Sequence, residues 1–205
     1  MMFIAVEGVD GAGKGTQISL LTQHLMQQGH EVLRTREPGG TIGAEQIRTL
    51  LVEGEAGRWS PDTELLLMYA ARRDHVETLI KPSLREGKVV LCDRFHGSSF
   101  VYQGVAGGLG MDRVQELDDF VLGGFGPDLE LIIDLPVDVS LARASLRAGQ
   151  ETRFESKGVG FLEMVRRGFH EYASRKPDKR HVIDGQGSIE EVHGRIVDVV
   201  RGASC

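Results

Sequence analysis

The feature that most limits what this chain can fold into is the run Gly8-Val9-Asp10-Gly11-Ala12-Gly13-Lys14-Gly15-Thr16, set between the apolar segment Phe3 to Glu7 and an amphipathic stretch over 14–28. Glycine accepts backbone conformations that let successive N–H groups turn inward around an anion. A helix opening directly behind the turn adds partial positive charge, and Lys14 is placed to reach the β and γ oxygens of a nucleoside triphosphate. Strand, glycine turn, lysine and helix in this order predict a phosphate-binding loop spanning Gly8 to Thr16. One position departs from the strict G-x-x-x-x-G-K-[ST] spacing: Gly15 stands where a metal-binding hydroxyl usually falls, and Thr16 follows one residue later. This G-K-G-T form resembles adenylate kinases and leaves Thr16 an open question as a metal ligand. Mg²⁺ then depends on nucleotide phosphates, water and a carboxylate, in keeping with its reluctance to dehydrate.

The rest of the chain repeats the strand-then-helix rhythm. Phe3 to Glu7, Glu31 to Arg36, Lys88 to Asp93, Leu129 to Leu135 and Arg180 to Asp184 are short apolar runs of the kind buried in parallel sheets. Between them, 14–28, 42–53, 61–86, 111–122, 137–148, 159–175 and 188–201 carry apolar residues at three- and four-residue spacing. Such alternation predicts an α/β fold with right-handed crossovers and a mostly parallel sheet covered on both faces. Ligands in such sheets sit beyond the carboxyl ends of the strands, where this chain places Glu7, Arg36-Glu37, Asp93-Arg94 and Asp134. The most loop-like stretches are Gly104 to Gly110 and Ala148 to Gly160, the latter expected to be a flap.

With 205 residues and no linker or repeat, the chain is expected to form a single domain, 1–205, with one active site. Its net charge of −6 argues against coating a nucleic acid, which selects for a basic surplus. No apolar run approaches a bilayer span, and the first ten residues lack the pattern of a signal peptide, so a cytoplasmic location is expected. The two cysteines, Cys92 and Cys205, define no disulfide framework, and the seven histidines show no metal-ligand spacing.

A second polar cluster lies at the end of the apolar run Val89 to Cys92, which delivers Asp93 and Arg94 to the same edge as the phosphate loop. An aspartate there can orient Mg²⁺ or its waters, and the planar fork of an arginine can bridge phosphates. With Thr35-Arg-Glu-Pro-Gly-Gly-Thr41, the segment Asp93 to Gly104 and Glu64 to Arg72 added, nearly the whole chain resembles the bacterial thymidylate kinase family.

That resemblance implies a three-layer P-loop NTPase fold with five parallel strands in the order 2-3-1-4-5 and a lid at about 143–160. It implies ATP and dTMP as substrates, Mg²⁺ as the accompanying ion and a homodimer. Asp10 would hold the sugar 3′-hydroxyl, Glu37 would lie near the acceptor phosphate and its metal waters, and Arg48 and Arg94 would grip that phosphate. Arg72 would contact the thymine carbonyl with Ser99 and Gln103 beside it, and Tyr102 would pack beneath the deoxyribose. Met68 stands where many relatives stack a phenylalanine on the base; for Met68, Tyr69 and Phe100 core packing is the competing role. Because Gly11 replaces a loop arginine, Arg153 is expected to act from the lid, with Arg143 against the adenine. Asp93 and Glu37 are the expected metal partners, through water. Two alternatives stay open: a kinase for another nucleoside monophosphate, and a nucleotide-binding P-loop protein without catalysis.

Overall fold

Three apolar runs become the fully covered centre of the sheet because each can be buried on both faces. In the computed structural model, which describes residues 2–55, 57–145 and 158–203, β1 (Phe3–Gly8) is buried along its whole length. Its neighbours β3 (Val89–Asp93) and β4 (Leu129–Asp134) are buried except at their last residues. The outer strands β2 (Val32–Arg36) and β5 (Arg180–Asp184) are partly exposed, as edges must be. All pairings are parallel, in the order β2-β3-β1-β4-β5. Register sets Val6 and Arg36 beside Asp93, and Gly8 beside Ile133. The polar strand ends therefore converge on one edge, as expected.

Helices cover both faces. They are α1 (Lys14–Gln27), α2 (Ile42–Val52), α3 (Pro61–His75), α4 (Lys81–Arg85), α5 (His96–Ser99), α6 (Met111–Leu122), α7 (Val137–Ser145), α8 (Val159–Ser174) and α9 (Ile189–Ala203). Local chemistry starts several of them. Thr41 accepts a hydrogen bond from the Ala44 amide at the head of α2, and Ser60 does the same for Thr63 before Pro61 at the head of α3. By contrast α1 begins at Gly13 with φ 91°, no side-chain cap and no acid in its first turn. Its amides point toward the phosphate loop, where an anion can take the capping role.

Two stretches depart from the sequence expectation. The predicted helix over 61–86 is interrupted by a π-helical turn, Val76–Ile80, before α4 resumes. Pro82 supplies the reason, since it has no N–H and its ring crowds the carbonyl four residues back, a conflict the wider turn relieves. The segment after Asp93-Arg94 has no strong helical pattern, yet it forms α5 followed by a π-helical turn, Phe100–Val105. The cause is tertiary. Glu7, fully buried on β1, accepts hydrogen bonds from the backbone amides of Phe95 and Ser98 at 2.8 and 3.0 Å and from the Ser98 hydroxyl at 2.6 Å. The expected flap, with Arg153, lies outside the described residues over 146–157.

Candidate active site

The phosphate loop folds as its glycines require. Gly11 has φ +82°, and a Cβ there would sit 2.2 Å from the Ser140 carbonyl oxygen; at Gly8 the corresponding approach to Ile133 O is 2.5 Å. A Cβ at Gly15 meets nothing within 4 Å. Lys14 curls over the loop, its Nζ donating to the carbonyls of Gly8 and Val9 at 3.1 and 3.0 Å, with Asp10 at 3.8 Å. Burial, reinforced by the nearby charge of Arg94, pulls its pKa down to about 8. An anionic ligand in the loop would restore the charge.

Across the loop, Arg94 closes the cleft. It has φ 66°, a left-handed conformation that costs a non-glycine residue energy. The fold holds it there: the Arg94 amide donates to Val6 O, Nη1 donates to Gly8 O and Ser98 Oγ, and Nη2 donates to Asp10 Oδ1 at 2.6 Å. Beneath it lies the Tyr102 ring, 5.3 Å from the guanidinium carbon. Cys92, the buried thiol of the same strand, donates to the Arg94 carbonyl.

Two spaces meet at this arginine. One is a cleft of about 620 Å³ lined by the loop from Asp10 to Gly15 together with Glu37, Arg48, Asp93 and Arg94. The other is a cavity of about 680 Å³ between α2, α3 and α5, whose walls include Met68, Arg72, Phe95, Ser99, Tyr102 and Gln103. Asp10, Glu37, Arg48 and Arg94 line both. All nine residues expected around the acceptor are therefore brought to one cavity. Met68 lines it, whereas Tyr69 and Phe100 are core residues, 1% and 2% exposed. Phe95, Ser98, Pro38 and Leu51 also line it and were not foreseen. Pro38, Phe95 and Ser98 fall within the segments that carry the family resemblance, whereas Leu51 had no such signal.

The acceptor cavity is wired before any ligand enters. Arg72 is 2% exposed; Nε donates to Glu37 Oε2 at 2.7 Å, Nη1 to Ser99 Oγ, and Nη2 to Phe95 O and Ser99 Oγ. Its guanidinium lies 4.5 Å from the centre of the Tyr69 ring. His75, wholly buried, meets Glu37 Oε1 through Nδ1 at 3.0 Å and Thr35 Oγ1 through Nε2 at 2.7 Å. A carboxylate only accepts, so Nδ1 carries the proton that faces Glu37. His75 was missed in the sequence because a lone histidine on a helix has no spacing to recommend it.

A third space, about 550 Å³, lies on the far side of the loop between Gly11–Gly13, Arg143 and the turn Gly185 to Ile189. Arg143 thus lines a space on the opposite side of the phosphate loop from the acceptor cavity. The turn that completes this site, Asp184-Gly-Gln-Gly-Ser188 at the end of β5, went unrecognised, although its glycines at a strand end were a signal. Thr16 is exposed and lines this third space, not the cleft that holds Asp93.

Behind the acceptor cavity His96, at the start of α5, is buried against two acids, with Nδ1 3.1 Å from Asp118 Oδ1 and Nε2 3.5 Å from Glu130 Oε1. Burial opposes its charge, but Glu130 and Asp118 outweigh it and raise its pKa to about 9. Tyr172 and Arg180 also donate to Glu130, and Tyr69 to Asp118.

Asp93 Oδ1 is buried and has no hydrogen-bond partner among the described residues. A buried carboxylate oxygen left this way is costly unless something else binds it. It faces the phosphate cleft, which suits an ion or its water. Among the described residues no group of three or more His, Cys, Asp or Glu forms a protein-held metal site.

A parallel sheet in this strand order, with a phosphate loop on its central strand and arginines facing a second cavity, defines a P-loop phosphotransferase. The family model for thymidylate kinase matches residues 6–196, and the chain belongs to that family. It is 54% identical over 198 residues to the thymidylate kinase of Caulobacter vibrioides, covering 97% of this chain and 95% of that one. The thymidylate kinase of Dinoroseobacter shibae is 48% identical over 194 residues, covering 95% and 93%. The crystal structure of thymidylate kinase from Ehrlichia chaffeensis superposes with a TM-score of 0.79 at 35% identity, covering 97% of this chain and 98% of that chain.

Proposed function

We infer that this chain is a dTMP kinase, moving the γ-phosphoryl group of ATP to dTMP to give dTDP and ADP. The observation that carries this reading is the shared lining of Asp10, Glu37, Arg48 and Arg94, which joins a phosphate loop to a second pocket walled by Met68, Arg72, Ser99, Tyr102 and Gln103. The acceptor phosphate, with a second pKa near ~6, is itself the nucleophile at neutral pH. No general base is needed, and the chemistry reduces to holding two polyanions in line and stabilising the charge on the transferred group.

In this reading Lys14 and the loop amides hold the donor phosphates, and Arg48 and Arg94 hold the acceptor phosphate. Asp10 receives the sugar 3′-hydroxyl, and Tyr102 lies beneath the deoxyribose. Arg72, Ser99, Gln103 and Met68 surround the base, and Arg143 lies against the adenine. Mg²⁺, when bound with ATP, neutralises phosphate charge; Asp93 would hold it or its waters, with Glu37 facing the same cleft. Thr16 does not line that cleft, which argues against it as a ligand. Arg153, outside the described residues, keeps the role of a lid arginine over 143–160; Arg153→Ala is expected to lower kcat by roughly 10³.

A coupled assay over dTMP, dUMP, dCMP, AMP and GMP tests the assignment. Preference for dTMP is expected, and equal turnover of AMP or GMP would remove it.

We also propose a homodimer through the outer face of α3 and α6. Leu66 and Phe120 are 58% and 87% exposed and flank an apolar hollow of about 820 Å³ with Leu117 and Val121. Light scattering on Phe120→Glu should show a monomer where the wild type is a dimer. No helix among the described residues is long and apolar enough to cross a membrane. The family reading carries a cytoplasmic location with it, which cell fractionation checks.

A further inference from the structure

Gln103 lines the acceptor cavity and is 3% exposed. Its Nε2 donates to Glu64 Oε1 at 2.8 Å. Because a carboxylate offers only acceptors, this contact decides which way the amide is turned. The other end, Oε1, accepts no hydrogen bond from the described residues and is not sealed from the cavity. On the wall of the same cavity, Arg72 has committed Nε, both Nη2 hydrogens and one Nη1 hydrogen to Glu37, Phe95 and Ser99. One Nη1 hydrogen remains. Among the residues that line the cavity, one acceptor and one donor are thus left uncommitted, each on a side chain held by its other bonds.

We propose that Glu64, which lies outside the base contacts themselves, is a specificity-determining positioning residue: by fixing the Gln103 amide it makes the cavity select a 4-keto, N3–H pyrimidine and reject a 4-amino one. The inference rests on the dTMP kinase reading. Thymine and uracil carry a donor at N3 and an acceptor at O4, which match Gln103 Oε1 and the Arg72 hydrogen. Cytosine reverses both, setting its N3 lone pair against an oxygen and its amino group against a cation. Mispaired polar groups in a closed site discriminate far more strongly than an added methyl group does. If the amide could turn, half of this rejection would disappear while Arg72 kept the other half.

The test compares kcat/KM for dTMP, dUMP and dCMP in wild type, Glu64→Gln and Glu64→Lys. The dUMP to dCMP ratio isolates the hydrogen-bond pattern, since both lack the 5-methyl group. The dTMP to dUMP ratio isolates the methyl. A glutamine can accept from or donate to Gln103, so the first ratio should fall about fivefold in Glu64→Gln. A lysine only donates and would draw the amide oxygen away from the cavity, so the fall should reach roughly tenfold or more in Glu64→Lys. The second ratio should stay constant, which a general loosening of the cavity would not allow. An unchanged dUMP to dCMP ratio in Glu64→Gln, or a parallel fall of both ratios, would overturn this proposal alone. Absence of dTMP turnover in the wild type would overturn the underlying function and this proposal with it. Glu64→Gln is isosteric, and its thermal midpoint verifies folding should the lysine variant fail to fold.

Discussion

Where the acceptor cavity presents side chains already tied to other side chains, the phosphate loop presents mostly backbone. Arg72 is held by Glu37, Ser99 and Phe95, Glu37 by His75, and Gln103 by Glu64, all within hydrogen-bond distance and nearly all buried. On the donor side Lys14 rests on two carbonyls, Gly15 is open and Thr16 is exposed. The difference follows from what each half must recognise. Phosphates are alike in every nucleotide, so a cradle of amides suffices for them. A base is told from its rivals by a donor and acceptor pattern, which needs side chains that cannot turn.

The contrast can be broken most directly at Lys14. Lys14→Ala removes a cation from the transferred phosphates and should lower kcat by roughly 10³ while leaving thermal stability little changed, read by steady-state kinetics and a melting curve. A fall in stability comparable to that at Arg72 would erase the distinction between the two halves. Arg72→Ala should do both kinds of damage. It leaves Glu37, 5% exposed, without its cation and its Oε2 without a donor, so a loss of about 3–5 kcal/mol is expected in urea unfolding, with weakened dTMP selection. The sequence suggested only a contact between Arg72 and the thymine carbonyl, because burial of the pair was not visible.

His96 sharpens the comparison from behind the cavity. Its folded pKa, about 9, lies above the ordinary 6.5, so its contribution is complete below pH about 6.5 and declines as pH rises to about 9. The total lost across that window is on the order of 3 kcal/mol, and His96→Gln should flatten this limb of the stability profile. Lys14, held down to about 8, adds a limb of opposite sign above that pH, so the His96 contribution is read as the difference between the unfolding profiles of wild type and His96→Gln. The smallest effect is expected at Gly15. With nothing within 4 Å of a Cβ, Gly15→Ala should change stability by less than about 0.5 kcal/mol, whereas Gly11→Ala, aimed at Ser140 O, should prevent a stable loop.

The strands and most helices were legible because buried parallel strands and amphipathic helices write their periods into the sequence. Strand bounds shifted by one residue at four of the ten ends. The segment after Asp93-Arg94 was not legible as helix, since His96-Gly-Ser-Ser99 has little propensity of its own; Glu7, nearly 90 residues earlier, supplies its cap. The same limit hid His75 and Glu64. Each matters through contacts with residues some 40 positions away.

The sequence by itself determined the phosphate loop, the α/β order and the edge at which the chemistry collects. These depend on glycine conformations, periodicity and strand direction, which are properties of neighbours along the chain. Only the tertiary structure decided which polar side chains are locked and which face a ligand. Hydrogen-bond partners of buried groups come from distant segments, and burial is what makes a single partner binding on the geometry.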